Sequence, residues 1–93
     1  MVLLARNFRL HRWEGDLLFW HPTGRRLVLW EVRGRTRPGF APSQVISPQK
    51  RENLRRLALW LVQRSGRTVA TQLFEVILEQ GRPRWRLFDI YWD

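Results

Sequence analysis

A single helical segment lies between two groups of strand-like runs, and its placement constrains the fold more than any other feature of the sequence. Ser47-Pro48 opens the segment, with serine as N-cap and proline in the first turn, and Gly66 stands where a C-terminal cap belongs. Leu54, Leu57, Ala58 and Leu61 form an apolar stripe at helical spacing. Ahead of it lie three strand-like runs: Val2 to Arg12, the short Leu17 to His21, and Leu27 to Arg33, which is apolar on both faces. Behind it come Thr71 to Glu79 and Arg84 to Trp92. Turns are expected at Glu14-Gly15, Pro22-Thr23-Gly24 and Gln80-Gly81-Arg82-Pro83. A helix between two strands of one sheet implies a right-handed crossover and a parallel pair. The expected class is therefore α/β, a mixed sheet in the order βββαββ with one main crossover helix. Ninety-three residues suffice for one core, so one domain over residues 1–93 is expected.

Charge narrows the partners. Seventeen basic residues against eight acidic ones give a formal net charge of +9, which points to a polyanion, nucleic acid first and an anionic membrane surface second. A charge kept for solubility, or arginine-rich coding, is the competing explanation, since Lys50 is the one lysine among the seventeen. The absence of cysteine excludes disulfides, thiolate metal sites and cysteine nucleophiles. The longest apolar run, Leu57 to Val62, is too short to span a bilayer, and Met1 to Arg6 lacks the apolar core of a signal peptide. A cytoplasmic location without membrane attachment is expected.

Three of the eight acids, Glu14, Asp16 and Glu31, fall inside the apolar hairpin of the second and third strands. If that hairpin turns about Thr23-Gly24, Asp16 faces Glu31, with Cβ atoms roughly 4.5–5.5 Å apart on one face. Strand alternation adds Glu14 and Arg33 to that face. Ionised carboxylates so close repel each other unless a proton or a cation lies between them, and a hard divalent ion such as Mg²⁺ suits carboxylate oxygens. The competing explanation is structural: Glu31 pairs with an arginine at a sheet edge, and Asp16 closes a turn.

The pattern Glu31-Val32-Arg33 at the end of a buried strand, with an acid on the neighbouring strand, resembles the PD-(D/E)XK nucleases. The resemblance extends along most of the chain to one family in particular, the YraN-like proteins, small bacterial proteins of the restriction-endonuclease-like fold. Leu3-Leu4-Ala5-Arg6-Asn7-Phe8-Arg9 resembles their opening strand. Trp13-Glu14-Gly15-Asp16-Leu17-Leu18 corresponds to their Gly-Glu-Ile-Asp-Leu-Ile, and Val28-Leu29-Trp30-Glu31-Val32-Arg33 to their Val-Phe-Val-Glu-Val-Lys or -Arg. Val45-Ile46-Ser47-Pro48-Gln49-Lys50 resembles the family's Thr-Pro-Arg-Lys, and Leu73-Phe74-Glu75-Val76-Ile77 its Arg-Phe-Asp-Val-Val.

This resemblance implies a metal-dependent nuclease core acting on DNA, with Asp16 and Glu31 as ligands of Mg²⁺ or Mn²⁺, the Val32 carbonyl as a third, and Glu14 behind them. The sequence departs from the pattern in two places. Family members usually open with an additional helix carrying a glutamate that faces the site, for which this sequence has no counterpart. An uncovered apolar sheet face, and pairing as a homodimer or with a partner, are therefore expected. Arg33 also stands where the wider nuclease class prefers lysine, and arginine cannot accept a proton near neutral pH. Lys50 falls where the family carries its lysine, third in the helix and poorly placed for the helix dipole. It is expected to reach the carboxylates, with a solvated side chain as the alternative.

Around this centre, Arg35 and Arg37 on the loop from Gly34 to Ile46 are candidates for phosphate contact. Arg51 and Arg55 on the helix are candidates too, or simply its solvated face. Trp13 and Phe40 are candidates for stacking on splayed bases, and Pro38 to Pro42 for a flap over the site. Trp30, Trp60, Phe74 and Phe88 are expected in the core. Two functions follow: a DNA endonuclease, for which branched or single-stranded substrates are open, or a basic nucleic-acid-binding module of the same fold with little catalysis.

Overall fold

The computed structural model of the protein describes residues 1–35 and 46–91, the side chain of Arg35 excepted. Arg37, Phe40 and the flap expected at Pro38 to Pro42 lie outside the described residues. The elements are β1 (Val2–Leu10), β2 (Trp13–His21), β3 (Arg26–Arg35), α1 (Pro48–Ser65), β4 (Val69–Glu79) and β5 (Arg82–Ile90). They build one sheet in spatial order β1-β2-β3-β4-β5, antiparallel throughout except for the parallel pair β3/β4 that α1 connects. The chain is thus a mixed α/β fold in the order βββαββ.

The helix forms where its caps and stripe place it. The Ser47 hydroxyl accepts from the Lys50 N–H at 3.1 Å. At the other end Gly66, at φ 68°, donates to the Val62 carbonyl at 2.9 Å. Left-handed backbone of that kind suits glycine, which has no Cβ to clash. Leu54, Leu57, Ala58 and Leu61 turn inward and meet Leu18, Leu27 and Leu29 of the sheet. Fully burying each leucine contributes about 1.5–3 kcal/mol. The resulting core is aliphatic.

Of the aromatic side chains expected in the core, Trp60 packs against it while only half-buried, and Trp30, Phe74 and Phe88 are half-buried outside it, which corrects that expectation for those three. Trp30 and Phe74 fall at alternate positions to the helix-facing residues, so they lie on the opposite sheet face. There they stack with centroids 4.8 Å apart, and Phe19 packs edge-on against Trp30 at 4.7 Å. Trp60 lies beneath the Arg64 guanidinium and Phe88 beneath that of Arg86.

The turn expected at Glu14-Gly15 lies instead at His11-Arg12, with His11 at φ 56°. Glu14 and Gly15 are strand residues, paired with Arg9 and Phe8. Gly15 is required by close approach, not by a turn: a Cβ there would meet Phe8 Cε1 at 2.6 Å and Leu29 Cδ1 at 2.9 Å. The second hairpin turns about Thr23-Gly24 as expected, and its ladder runs from His21↔Arg26 to Leu17↔Trp30. The last turn closes at Gln80-Gly81, so Arg82 and Pro83 belong to β5, an edge strand where proline costs no interior ladder bond.

Candidate metal and phosphate site

Strict alternation fails on β1 and β2 at one level of the sheet, and the site begins there. On β2 both Leu18 and Gly15 are buried, and Trp13 packs against the core; on β1, Ala5, Phe8 and Leu10 do. Odd and even positions cannot share a face without a break in phase. On β1 the register shifts between Leu3 and Ala5 and the backbone is interrupted again at Asn7, whose φ is 50°; on β2 the change of phase falls between the buried Gly15 and Leu18. The β2/β3 ladder stops at Leu17↔Trp30, and the next link is a side chain: Asp16 Oδ2 accepts from the Val32 N–H at 2.7 Å. The strands part here, which frees the Asp16 carboxylate from the regular alternation assumed from sequence.

Glu31 points inward from β3 and is 1% exposed. Its Oε1 lies 3.0 Å from Arg33 Nη2 and its Oε2 3.5 Å from Lys50 Nζ, which descends from the first turn of α1. Burial pushes the Glu31 carboxyl above the usual glutamate range, and the negative charge of Asp16 adds to that effect. Lys50 and Arg33 act against it. A buried carboxylate held beside a second one, with two cations around it, is an electrostatically unfavourable arrangement in isolation. A proton on Glu31 or a further cation beside it would relieve that cost. Among the described residues no group of three or more histidine, cysteine, aspartate or glutamate side chains converges. The donor set is therefore two carboxylates with the Val32 backbone beside them. That set fits Mg²⁺, which is commonly bound through one or two carboxylates while keeping several waters.

The other candidates are placed as follows. Glu14 is ion-paired to Arg9 and lines, with Asn7, Phe8, Arg9, Gly15 and Asp16, a cleft of about 330 Å³. Arg33 is 40% exposed, so part of its guanidinium faces solvent while Glu31 holds one nitrogen. Arg55 donates to both Glu52 oxygens at 2.9 and 2.7 Å, and Arg56 donates to the same carboxylate at 3.0 Å. The hydrogen bond from Arg55 is the main reason the Glu52 carboxyl is lowered to about 2. Arg51 donates to the Tyr91 carbonyl across the molecule. Trp13 is half-buried, with His11 edge-on at 5.7 Å. The structure thus brings together Asp16, Glu31, Val32, Arg33 and Lys50, and sets Arg55 and Arg56 into ion pairs with Glu52 to one side.

Sequence reasoning missed one charged residue of this row. Glu75 is fully buried on β4, beside Arg33 in the parallel register, and its Oε1 accepts from Arg86 Nε at 3.1 Å and Nη2 at 2.5 Å. The signal was present: Thr71, Leu73, Glu75 and Ile77 alternate onto one face, and an acid among them raises the same question as Glu31. Glu31, Arg33 and Glu75 all lie toward the carboxyl ends of the parallel pair β3/β4, the end of a strand from which open α/β sheets present their ligand sites.

The family model "Uncharacterised protein family UPF0102" matches residues 1–80. A UPF0102 protein of Mycobacterium sp. (strain KMS) is 37% identical over 84 residues, 88% of this chain and 62% of that relative. One from Alkalilimnicola ehrlichii is 38% identical over 88 residues, 91% of this chain and 68% of its own length. A third, from Streptomyces griseus, is 38% identical over 68 residues, 71% of this chain and 56% of the relative. The chain spans about three fifths of the length of the mycobacterial relatives it matches.

Proposed function

This chain belongs to family UPF0102, the YraN-like family, and on that premise we propose that it is a metal-dependent endonuclease of the restriction-endonuclease-like type, acting on DNA phosphodiester bonds. The observation that carries the reading is Glu31, a carboxylate 1% exposed, next to Asp16 and approached by Lys50 from the helix. A buried acid with those neighbours is poorly suited to stability alone and well suited to a site that takes up positive charge.

In this reading Asp16 and Glu31, with the Val32 carbonyl, hold Mg²⁺ or Mn²⁺, while Glu14, ion-paired to Arg9, lines the cleft next to Asp16 as an outer acid. When bound, the ion lowers the pKa of a coordinated water and neutralises charge on the phosphate. The chain's own residues do the rest. The Asp16 carboxylate is fixed by the Val32 N–H, so its free lone pairs keep one direction. Lys50 brings a compact ammonium to the phosphate oxygens, and the exposed part of Arg33 supplies further N–H donors. The charge of +9 draws the polyanion in.

The alternative, a nucleic-acid-binding module with little catalysis, is favoured by the Arg33–Glu31 ion pair, which ties up a residue unable to accept a proton. Self-association finds support in the sheet face opposite α1, where Leu78, Trp85 and Leu87 are exposed by 48, 67 and 50%. No helix among the described residues is long and apolar enough to cross a membrane.

The test combines Mn²⁺ calorimetry with cleavage of linear, branched and single-stranded DNA, on the wild type and Asp16→Asn. Metal uptake and cleavage that both vanish in Asp16→Asn, with DNA affinity equal or higher, support the endonuclease. Metal-independent DNA binding without cleavage leaves the binding module, and no DNA binding at low ionic strength overturns both.

A further inference from the structure

Beside the carboxylates, between the β1–β2 turn and the first turns of α1, runs a second concavity of about 480 Å³, lined by Arg12, Trp13, Gln49, Glu52, Asn53 and Arg56. We propose that this groove takes one unstacked base of a single-stranded nucleic acid whose neighbouring phosphate lies at Lys50 and the exposed part of Arg33. The proposal rests on the nucleic-acid reading above and specifies its substrate class.

The groove contains the chemistry that recognises a nucleotide. Trp13 offers an aromatic surface, half-buried and packed against the core on one side, so its orientation is fixed before any ligand arrives. Base–aromatic stacking is the usual anchor for unpaired strands, because every base has a π-face. Opposite it, Gln49 Nε2 donates to Asn53 Oδ1 at 3.1 Å. That bond fixes both amides and leaves Gln49 Oε1 as an acceptor next to the Asn53 amide hydrogens as donors. An adjacent acceptor and donor match the polar edge of a base. The groove's one carboxylate, Glu52, is engaged by Arg55 and Arg56, so it presents neutralised charge to an incoming anion. Arg12 and Arg56, both exposed, stand at the rim.

Continuity with the candidate site supplies the second argument. Trp13 precedes Asp16 by three residues on β2, about 10 Å at the rise of a strand. Gln49 immediately precedes Lys50, whose ammonium is 3.5 Å from Glu31. The same two elements therefore carry the groove and the charged cluster, and a strand crossing one passes the other. A base inside a duplex is stacked on both faces and cannot enter a concavity walled by a turn and a helix. An unpaired one can.

The experiment measures binding by fluorescence anisotropy at low salt in EDTA, so that metal and cleavage play no part. The probes are an end-labelled thymidine oligonucleotide, the same strand with abasic residues, and a duplex of equal length. The wild type should bind the thymidine strand about tenfold or more tightly than the abasic strand, the range expected for one stacked base. It should also prefer the thymidine strand to the duplex. Trp13→Leu, which keeps an apolar side chain against the core, should shrink the base-dependent ratio toward one and leave abasic affinity unchanged. The exposed-side double variant Gln49→Ala/Asn53→Ala should lower the ratio in the same way, and keeps the test decisive if Trp13→Leu melts early. Equal affinity of the wild type for the two strands, duplex binding as tight as thymidine binding, or variants that weaken both strands alike would overturn the groove and leave the endonuclease reading standing. No binding of any strand would overturn both.

Discussion

Gly15→Ala tests the packing that sets the site. The new methyl would lie 2.6 and 2.7 Å from Phe8 Cε1 and Cζ and 2.9 Å from Leu29 Cδ1. Leu29 is fully buried in the cluster beneath α1 and has no space to retreat into, so the Phe8 ring must swing away and open a gap beside β1. Overpacking of this kind costs about 1–3 kcal/mol, and replacing a strand glycine returns roughly 0.5–1 kcal/mol of backbone entropy. Three contacts under 3.0 Å place the overpacking cost in the upper part of its range, about 2–3 kcal/mol. A net loss of about 1–2.5 kcal/mol should therefore lower the melting temperature by roughly 4–20 °C for a domain of this size. Urea unfolding monitored by circular dichroism measures it directly. Gly15→Ile should be harsher alone and partly rescued by Phe8→Ala, with a coupling of about 1 kcal/mol or more. A Gly15→Ala protein as stable as the wild type, or a double variant no better than the sum of its parts, would refute the account.

Three further outcomes follow from the site. Lys50→Arg should reduce cleavage far more than Arg56→Lys at unchanged DNA affinity, because a guanidinium cannot replace the compact ammonium 3.5 Å from Glu31; equal rates would remove Lys50 from the mechanism. In EDTA, Glu31→Gln should raise thermal stability at neutral pH. A carboxyl whose pKa is raised by folding stabilises fully below its unfolded pKa, and that contribution is lost as pH rises through the folded value. The advantage of glutamine should therefore fade on acidification, and a calorimetric difference that does not vary with pH would contradict the burial argument. DNA affinity should fall steeply with salt, log K against log salt having a slope of about −0.9 per phosphate contacted on duplex or about −0.7 on single strands; a flat titration would exclude an electrostatic partner.

The type and order of the elements were legible in the sequence because local chemistry sets them, whereas the extent of β2, which begins at Trp13 and not at Leu17, was not. Ser47-Pro48, the Leu54-Leu57-Ala58-Leu61 stripe and Gly66 specify a helix whatever surrounds it. A helix between two strands then requires the parallel pair β3/β4. The sum of residue numbers across the Thr23-Gly24 turn gave the β2/β3 register, since a tight hairpin leaves the pairing no freedom. What the sequence could not decide was where regular alternation breaks. Gly15 reads as a turn residue from its local preference, and only the Phe8 ring above it and Leu29 below it show that it is needed for close approach. The phase change on β1 and β2 depends in the same way on contacts across β1, β2 and β3, so the link from Asp16 to the Val32 N–H had no local signature. Nor did the groove at Trp13, whose walls come from segments more than thirty residues apart. Glu75 stood in view on an apolar strand face, but its weight came only from complete burial beside Arg33 and Arg86. Chain-local propensity sets which elements form, whereas the environment of a charge is set by what packs around it, and packing is a property of the folded whole.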